Sequence, residues 1–102
     1  MVSEYVYFYL IRPMIILEKL NDKKNYHRMK VSSITEKLKT YRKDVDYYTD
    51  LFFGESLSDS ELVYLLDIQE KIPKLQKYLL EQFFKYQITN IRINKIKSRY
   101  ML

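Results

Sequence analysis

Between Val31 and Phe52 the apolar residues fall at Val31, Ile34, Leu38, Tyr41, Val45, Tyr48 and Phe52, three and four residues apart in strict alternation. Only an α-helix turns that spacing into one continuous stripe. Both ends carry stop signals. Ser33 can accept from the free amides of a first turn and Glu36 can reach back, a capping-box pattern with Val31 just ahead of it. Gly54, the single glycine of the chain, stands where a left-handed terminating residue costs least. The spacing predicts a helix from this cap to Gly54.

A chain of 102 residues is one domain's worth, and 47% hydrophobic with 30% charged residues is ordinary for a globule with a modest core. One Gly and two Pro argue against disorder and leave little material for the tight turns of an all-β fold. The absence of Cys removes disulfides, thiolate metal sites and thiol nucleophiles. Charge is arranged in blocks: residues 1–43 carry about +6, residues 44–70 carry −8, and residues 71–102 carry +7. An acidic middle packed beside basic ends lowers the field, and such blocks can also steer partners. The apolar run Tyr5–Leu17 has neither a basic start nor a small-residue cleavage site, and Arg12 and Pro13 interrupt it before bilayer-spanning length.

Elsewhere the pattern is mixed. Val6, Leu10, Met14, Leu17 and Leu20 fit a helical face, although Tyr5 to Ile11 also has strand-type composition. Pro13 suits a helix's first turn. Residues 21–28 (NDKKNYHR) read as a polar connection and 55–59 as a second break. Ser58, Asp59 and Ser60 offer caps to a helix bearing Leu62, Leu65, Leu66 and Ile68, which Pro73 is expected to kink or divide. A further stripe follows at Leu75, Leu79, Leu80, Phe83 and Phe84. In the tail, Ile91 and Ile93 alternate like a strand, whereas Ile93, Ile96 and Tyr100 suit a helix.

Sliding the chain on itself by fifty-seven residues sets Ser3-Glu4-x-Val6-Tyr7 over Ser60-Glu61-x-Val63-Tyr64, Val31 over Ile88 and Ile34 over Ile91. The expected fold is therefore a mainly α single domain, 1–102, of two similar helix-turn-helix-like motifs, 1–54 and 55–102, related by pseudo-symmetry. The alternative is α+β, with strands near 4–11 and 88–97.

The Ile-, Tyr- and Lys-rich chain opening MVSEYVYFYLIRP resembles small proteins of filamentous viruses of hyperthermophilic archaea, of the Acidianus lipothrixvirus kind. The resemblance covers the whole chain without a functional motif. It implies a heat-resistant protein of the host cytoplasm or virion, and it carries over no active-site residue.

Signals for catalysis are weak. His27 is the only histidine and lacks the partners of a zinc site; it reads as a surface residue of the polar connection. Asp44, Asp46 and Asp50 lack the glycine turn and terminal Glu of a calcium loop and read as a solvated acidic face. Glu61, Asp67 and Glu70 have no nucleophile fixed near them, and no phosphate loop or nucleophile elbow exists. No catalytic residue, metal or cofactor is expected.

Two binding signals remain. Sixteen aromatics exceed what a few short stripes need, and Tyr7, Tyr47, Tyr64 and Tyr78, with Arg12, are candidate contacts for a peptide or partner segment held between the two motifs. Lys85, Arg92, Lys95, Lys97 and Arg99, with Tyr86 and Tyr100 nearby, are candidate nucleic-acid contacts. A structural or membrane-associated role through the N-terminal apolar segment is the third alternative.

Overall fold

The computed structural model describes residues 4–6 and 11–100. They form a single turn, α1 (Glu4–Val6), and two 42-residue helices, α2 (Arg12–Phe53) and α3 (Asp59–Tyr100), which pack against each other. No strand occurs among the described residues, so the fold is mainly α. Residues 88–97 lie inside α3, which removes that strand of the α+β alternative; residues 7–10 of the other lie outside the described residues.

The chain divides into two compact units, residues 30–81 and residues 1–29 with 82–102. In the first, a helical hairpin, Val31, Ile34, Leu38, Tyr41, Val45 and Tyr48 of α2 and Glu61, Leu65, Ile68, Ile72, Leu75 and Leu79 of α3 are all buried or half-buried. Both sets alternate steps of three and four residues. That is the heptad spacing of helices packed side by side along one seam. A five-residue turn joins the segments and sets them antiparallel.

In the second unit Pro13, Leu17, Leu20, Lys24 and His27 of α2 and Gln82, Tyr86, Thr89, Ile93, Ile96 and Tyr100 of α3 keep the same spacing and are again buried or half-buried. Several of these positions are polar. His27 Nδ1 lies 2.7 Å from Gln82 Oε1, and the Lys24 ammonium lies 5.6 Å from the centre of the Tyr86 ring. The Thr89 hydroxyl donates to the Lys85 carbonyl at 2.8 Å. A polar pair at one seam layer fixes which residues face each other, because any shift leaves both partners buried and unmatched.

Local reading and fold disagree at four places, and at Pro73 one of two expectations, division of the helix, is removed. Residues 21–28 are helical: Lys24 and His27 occupy seam positions, while Asn21, Asp22, Lys23, Asn25 and Arg28 are exposed. His27 is accordingly no surface residue but is 5% exposed. Ser33 and Glu36 lie in the interior of α2, where neighbouring amides already have helical partners, so they cap nothing. Pro73 does not divide α3, which runs through it. Among the described residues each half of the chain thus contributes one long helix, without the internal turn of a helix-turn-helix motif.

The duplication is not confirmed. Fifty-seven is not a multiple of seven, so the matched residues fall at different heptad positions. Ile34 is 6% exposed while its match Ile91 is 52% exposed.

The junction between the helices follows the sequence more closely. Ser58 Oγ accepts from the Glu61 amide (3.3 Å), and Glu61 Oε1 accepts from the Ser58 amide (3.1 Å) and hydroxyl (2.7 Å), a complete capping box. These bonds hold the Glu61 carboxyl below its usual pKa. α2 stops near Gly54, but the left-handed residue is Glu55, at φ 57°. The Glu55 amide donates to the Phe52 carbonyl (3.1 Å) and the Ser56 amide to the Leu51 carbonyl (2.9 Å), the paired bonds of a Schellman stop with Glu55 at its C′ position.

The expected outcome of mutation is therefore the reverse of the sequence expectation. A Cβ on Gly54 would meet nothing nearer than the Asp50 carbonyl at 3.5 Å, so Gly54→Ala should stabilise by about 0.5 kcal/mol. Glu55→Gly should relieve left-handed strain and stabilise by roughly 0.5–1 kcal/mol. Urea denaturation of the two variants checks both signs.

Candidate docking surface on the second long helix

Charge is distributed differently on α2 and α3. Around α2, charged residues occupy every side outside the seam. On α3 within residues 59–81, Asp59, Asp67, Glu70, Lys71, Lys74, Lys77 and Glu81 fall within about 120° of the circumference at 3.6 residues per turn. Ion pairs run along that strip, Lys71 to Asp67 at 2.8 Å and Lys74 to Glu70 at 3.6 Å. The Asp67 hydrogen bond raises the Lys71 pKa.

Neither the seam nor the charged strip accounts for Leu62, Leu66, Gln69, Pro73, Gln76 and Leu80. All six are exposed and uncharged, and they repeat the steps of four and three on an outer side of the helix. Leu66 is 56% and Leu80 69% exposed. A helix covered on one side by its neighbour and charged on the opposite side would show one apolar stripe. This segment has two. Beside the outer stripe, Leu62, Leu65 and Gln69 join Thr49, Phe52 and Phe53 of α2 around a cavity of about 290 Å³.

In the other unit, Phe84, Gln87, Ile91, Asn94 and Ser98 are likewise exposed and uncharged. Lys85, Arg92, Lys95 and Arg99 are exposed within about 80° of the α3 circumference, while Lys97 projects elsewhere. Four of the five candidate nucleic-acid contacts therefore share one side. Tyr86 and Tyr100 are half-buried at the seam.

The candidate partner contacts are dispersed. Tyr47 (60% exposed) and Tyr64 are linked through Tyr48, whose ring meets theirs edge-on at centroid distances of 5.2 and 5.5 Å. Tyr64 is also engaged internally: its hydroxyl donates to Asp44 Oδ2 at 2.8 Å. That bond, with partial burial and the carboxylate charge, pushes the Tyr64 pKa up to about 12. Tyr78 is exposed further along α3, and Arg12 is an exposed residue at the start of α2. Tyr7 lies outside the described residues. Asp46 and Asp50 are exposed, whereas Asp44 is half-buried. Among the described residues no cluster of His, Cys, Asp or Glu could hold a metal ion, and no helix is long and apolar enough to cross a membrane.

The raised Tyr64 pKa gives a pH prediction. A phenol whose folded pKa lies above its unfolded value of about 10 contributes its full stabilisation below pH 10 and loses it as pH rises toward 12. The wild-type unfolding midpoint should decline more between pH 10 and 12 than that of Tyr64→Phe, and near neutrality the variant should be the less stable. Equal pH slopes would show that the bond contributes nothing.

In sequence the two stripes of α3 merge into one. Leu65, Ile68, Leu75 and Leu79 point into the seam, whereas Leu62, Leu66, Leu80 and Phe84 do not. The distinguishing signal was present: no charge occurs at 62, 66, 69, 73, 76 or 80 in a chain that is 30% charged. No family model, curated protein or solved structure matches the chain.

Proposed function

We propose that the chain is a non-enzymatic protein–protein interaction module whose helical hairpin, residues 30–81, offers the outer side of α3 to a partner helix. The supporting observation is the second stripe, Leu62, Leu66, Gln69, Pro73, Gln76 and Leu80, exposed and free of charge beside an apolar cavity. A helix docks into an apolar groove through anchors three and four residues apart, and a stripe at that spacing is its counterpart. The seam positions between residues 1–54 and 55–102 are occupied by their own side chains apart from the cavity at Leu62 and Leu65, so the docking surface proposed here is the outside of α3.

The test is capture of partners by the wild-type chain and by Leu66→Lys combined with Leu80→Lys, with helicity checked by circular dichroism. Loss of specific partners from the lysine variant is the expected result; identical captured sets overturn the reading.

A second reading, nucleic-acid binding, draws on the shared side of Lys85, Arg92, Lys95 and Arg99. It predicts binding to single- or double-stranded nucleic acid that falls steeply with salt, and a shallower salt slope for Arg92→Gln with Lys95→Gln. Salt-independent binding, or a slope unchanged by the two substitutions, excludes it.

A further inference from the structure

We infer that the partner of the outer stripe is a second copy of this chain, the two α3 segments 62–80 lying antiparallel about a twofold axis level with Lys71. The inference rests on the reading of this stripe as a docking surface; the first observation below permits an antiparallel copy, and the second and third favour it. First, the steps 62-66-69-73-76-80 read the same in both directions. An antiparallel copy therefore sets Leu62 against Leu80 of the partner subunit, Leu66 against Gln76 of the partner subunit, and Gln69 against Pro73 of the partner subunit, with every position matched twice, as an isologous interface requires.

Second, charge divides at the same point. Within residues 62–80, Asp67 and Glu70 precede Lys71 without a base among them, and Lys74 and Lys77 follow it without an acid; Glu81 lies just beyond the segment. Antiparallel pairing brings the acidic half of one segment beside the basic half of the other. Parallel pairing would set like beside like, which is repulsive. Third, the cavity bounded by Phe52, Phe53, Leu62 and Gln69 lies at the Leu62 end, where this register delivers Leu80 of the partner subunit. Leu80 is 69% exposed in the single chain and has no seam position to occupy. Each copy thus supplies a knob at one end of its stripe and a hole at the other. The product is two helical pairs joined through their α3 faces, a four-helix arrangement.

The experiment combines mass and proximity. By light scattering, the wild-type chain should have twice its 12.6 kDa mass at about 100 μM, and Leu66→Lys with Leu80→Lys should have the single-chain mass with helicity retained. The chain has no cysteine, so Leu66→Cys mixed with Gln76→Cys should give a cross-linked heterodimer with a short thiol-specific linker. Either variant alone should not, because like positions are then ten residues, about 15 Å, apart along the helices. If the lysine variant fails to fold, the cysteine mixture decides alone.

A wild-type monomer at that concentration, a dimer unaffected by the lysines, or cross-linking of a single variant as efficient as that of the mixture overturns the inference. A monomeric wild type whose captured partners disappear with the lysine variant removes self-pairing while leaving the docking reading in place. A monomer that captures nothing removes both.

Discussion

Replacing Ile68 or Ile93 with Ala should destabilise the chain by about 2–5 kcal/mol each, and replacing Ile91 with Ala by well under 1 kcal/mol. Ile68 and Ile93 are 1% and 2% exposed, one in the seam of each unit, so deletion of their outer carbons leaves a cavity bounded by the facing helix. Ile91, two residues before Ile93, is 52% exposed and loses little burial on truncation. The contrast also separates helix from strand: residues two apart share a face in a strand but lie about 160° apart around a helix. Since small domains are stable by only about 5–15 kcal/mol, the two core variants should lower the thermal midpoint by roughly 10 °C or more. Similar losses at Ile91 and Ile93 would contradict the placement of the seam in the second unit.

Pro73→Ala should raise stability by about 2 kcal/mol, which corresponds to roughly 10 °C in the midpoint. Proline inside a helix removes an amide donor and crowds the carbonyl four residues earlier, here that of Gln69, and is disfavoured by about 3 kcal/mol relative to Ala. The unfolded chain with Ala regains conformational freedom, which offsets up to about 1 kcal/mol of the gain. Pro73 is exposed and occupies no seam position, so no packing within the chain is lost on substitution. A fall in stability would mean that the helix does not continue through residue 73. The residue also lies in the outer stripe, where Ala keeps the surface apolar, so the substitution tests the helix without adding charge to the proposed interface.

The parts of this architecture that were legible in sequence are those where chemistry and position agree. Val31 to Tyr48 are apolar at every seam position, and Ser58 with Glu61 supplies a capping box whose bonds are present. The remainder was obscured where a seam position is polar. Lys24 and His27 break the apolar pattern of α2, so residues 21–28 resemble a connection, although neither Gly nor Pro interrupts them. Gln82 and Thr89 do the same in α3, which left Ile91 and Ile93 to suggest a strand. A lone imidazole in a polar stretch gives no sign of its partner, so from sequence His27 resembles an exposed residue. Only the facing Gln82, fifty-five residues away, identifies it as interior.

The candidate surface was hidden by the opposite circumstance, since too many apolar residues obscure a pattern as readily as too few. Leu62, Leu65, Leu66 and Ile68 form one continuous apolar group until burial separates the inner pair from the outer pair. Of the tyrosines expected as partner contacts, Tyr64 is also engaged within the chain. Tyr64 satisfies its hydroxyl on Asp44, and its ring packs on Tyr48. An aromatic surplus in this hairpin is thus partly consumed by contacts between its own helices.

The central inference is that α3 is built with two packing faces, of which the outer one is covered by α3 of a second copy. Thiol-labelling rates of Leu66→Cys and Pro73→Cys, compared with those of Asp67→Cys and Lys74→Cys across a range of protein concentration, test it most directly. The first pair should become protected as concentration rises while the second pair stays reactive. Equal reactivity at all four positions, independent of concentration, would contradict the claim.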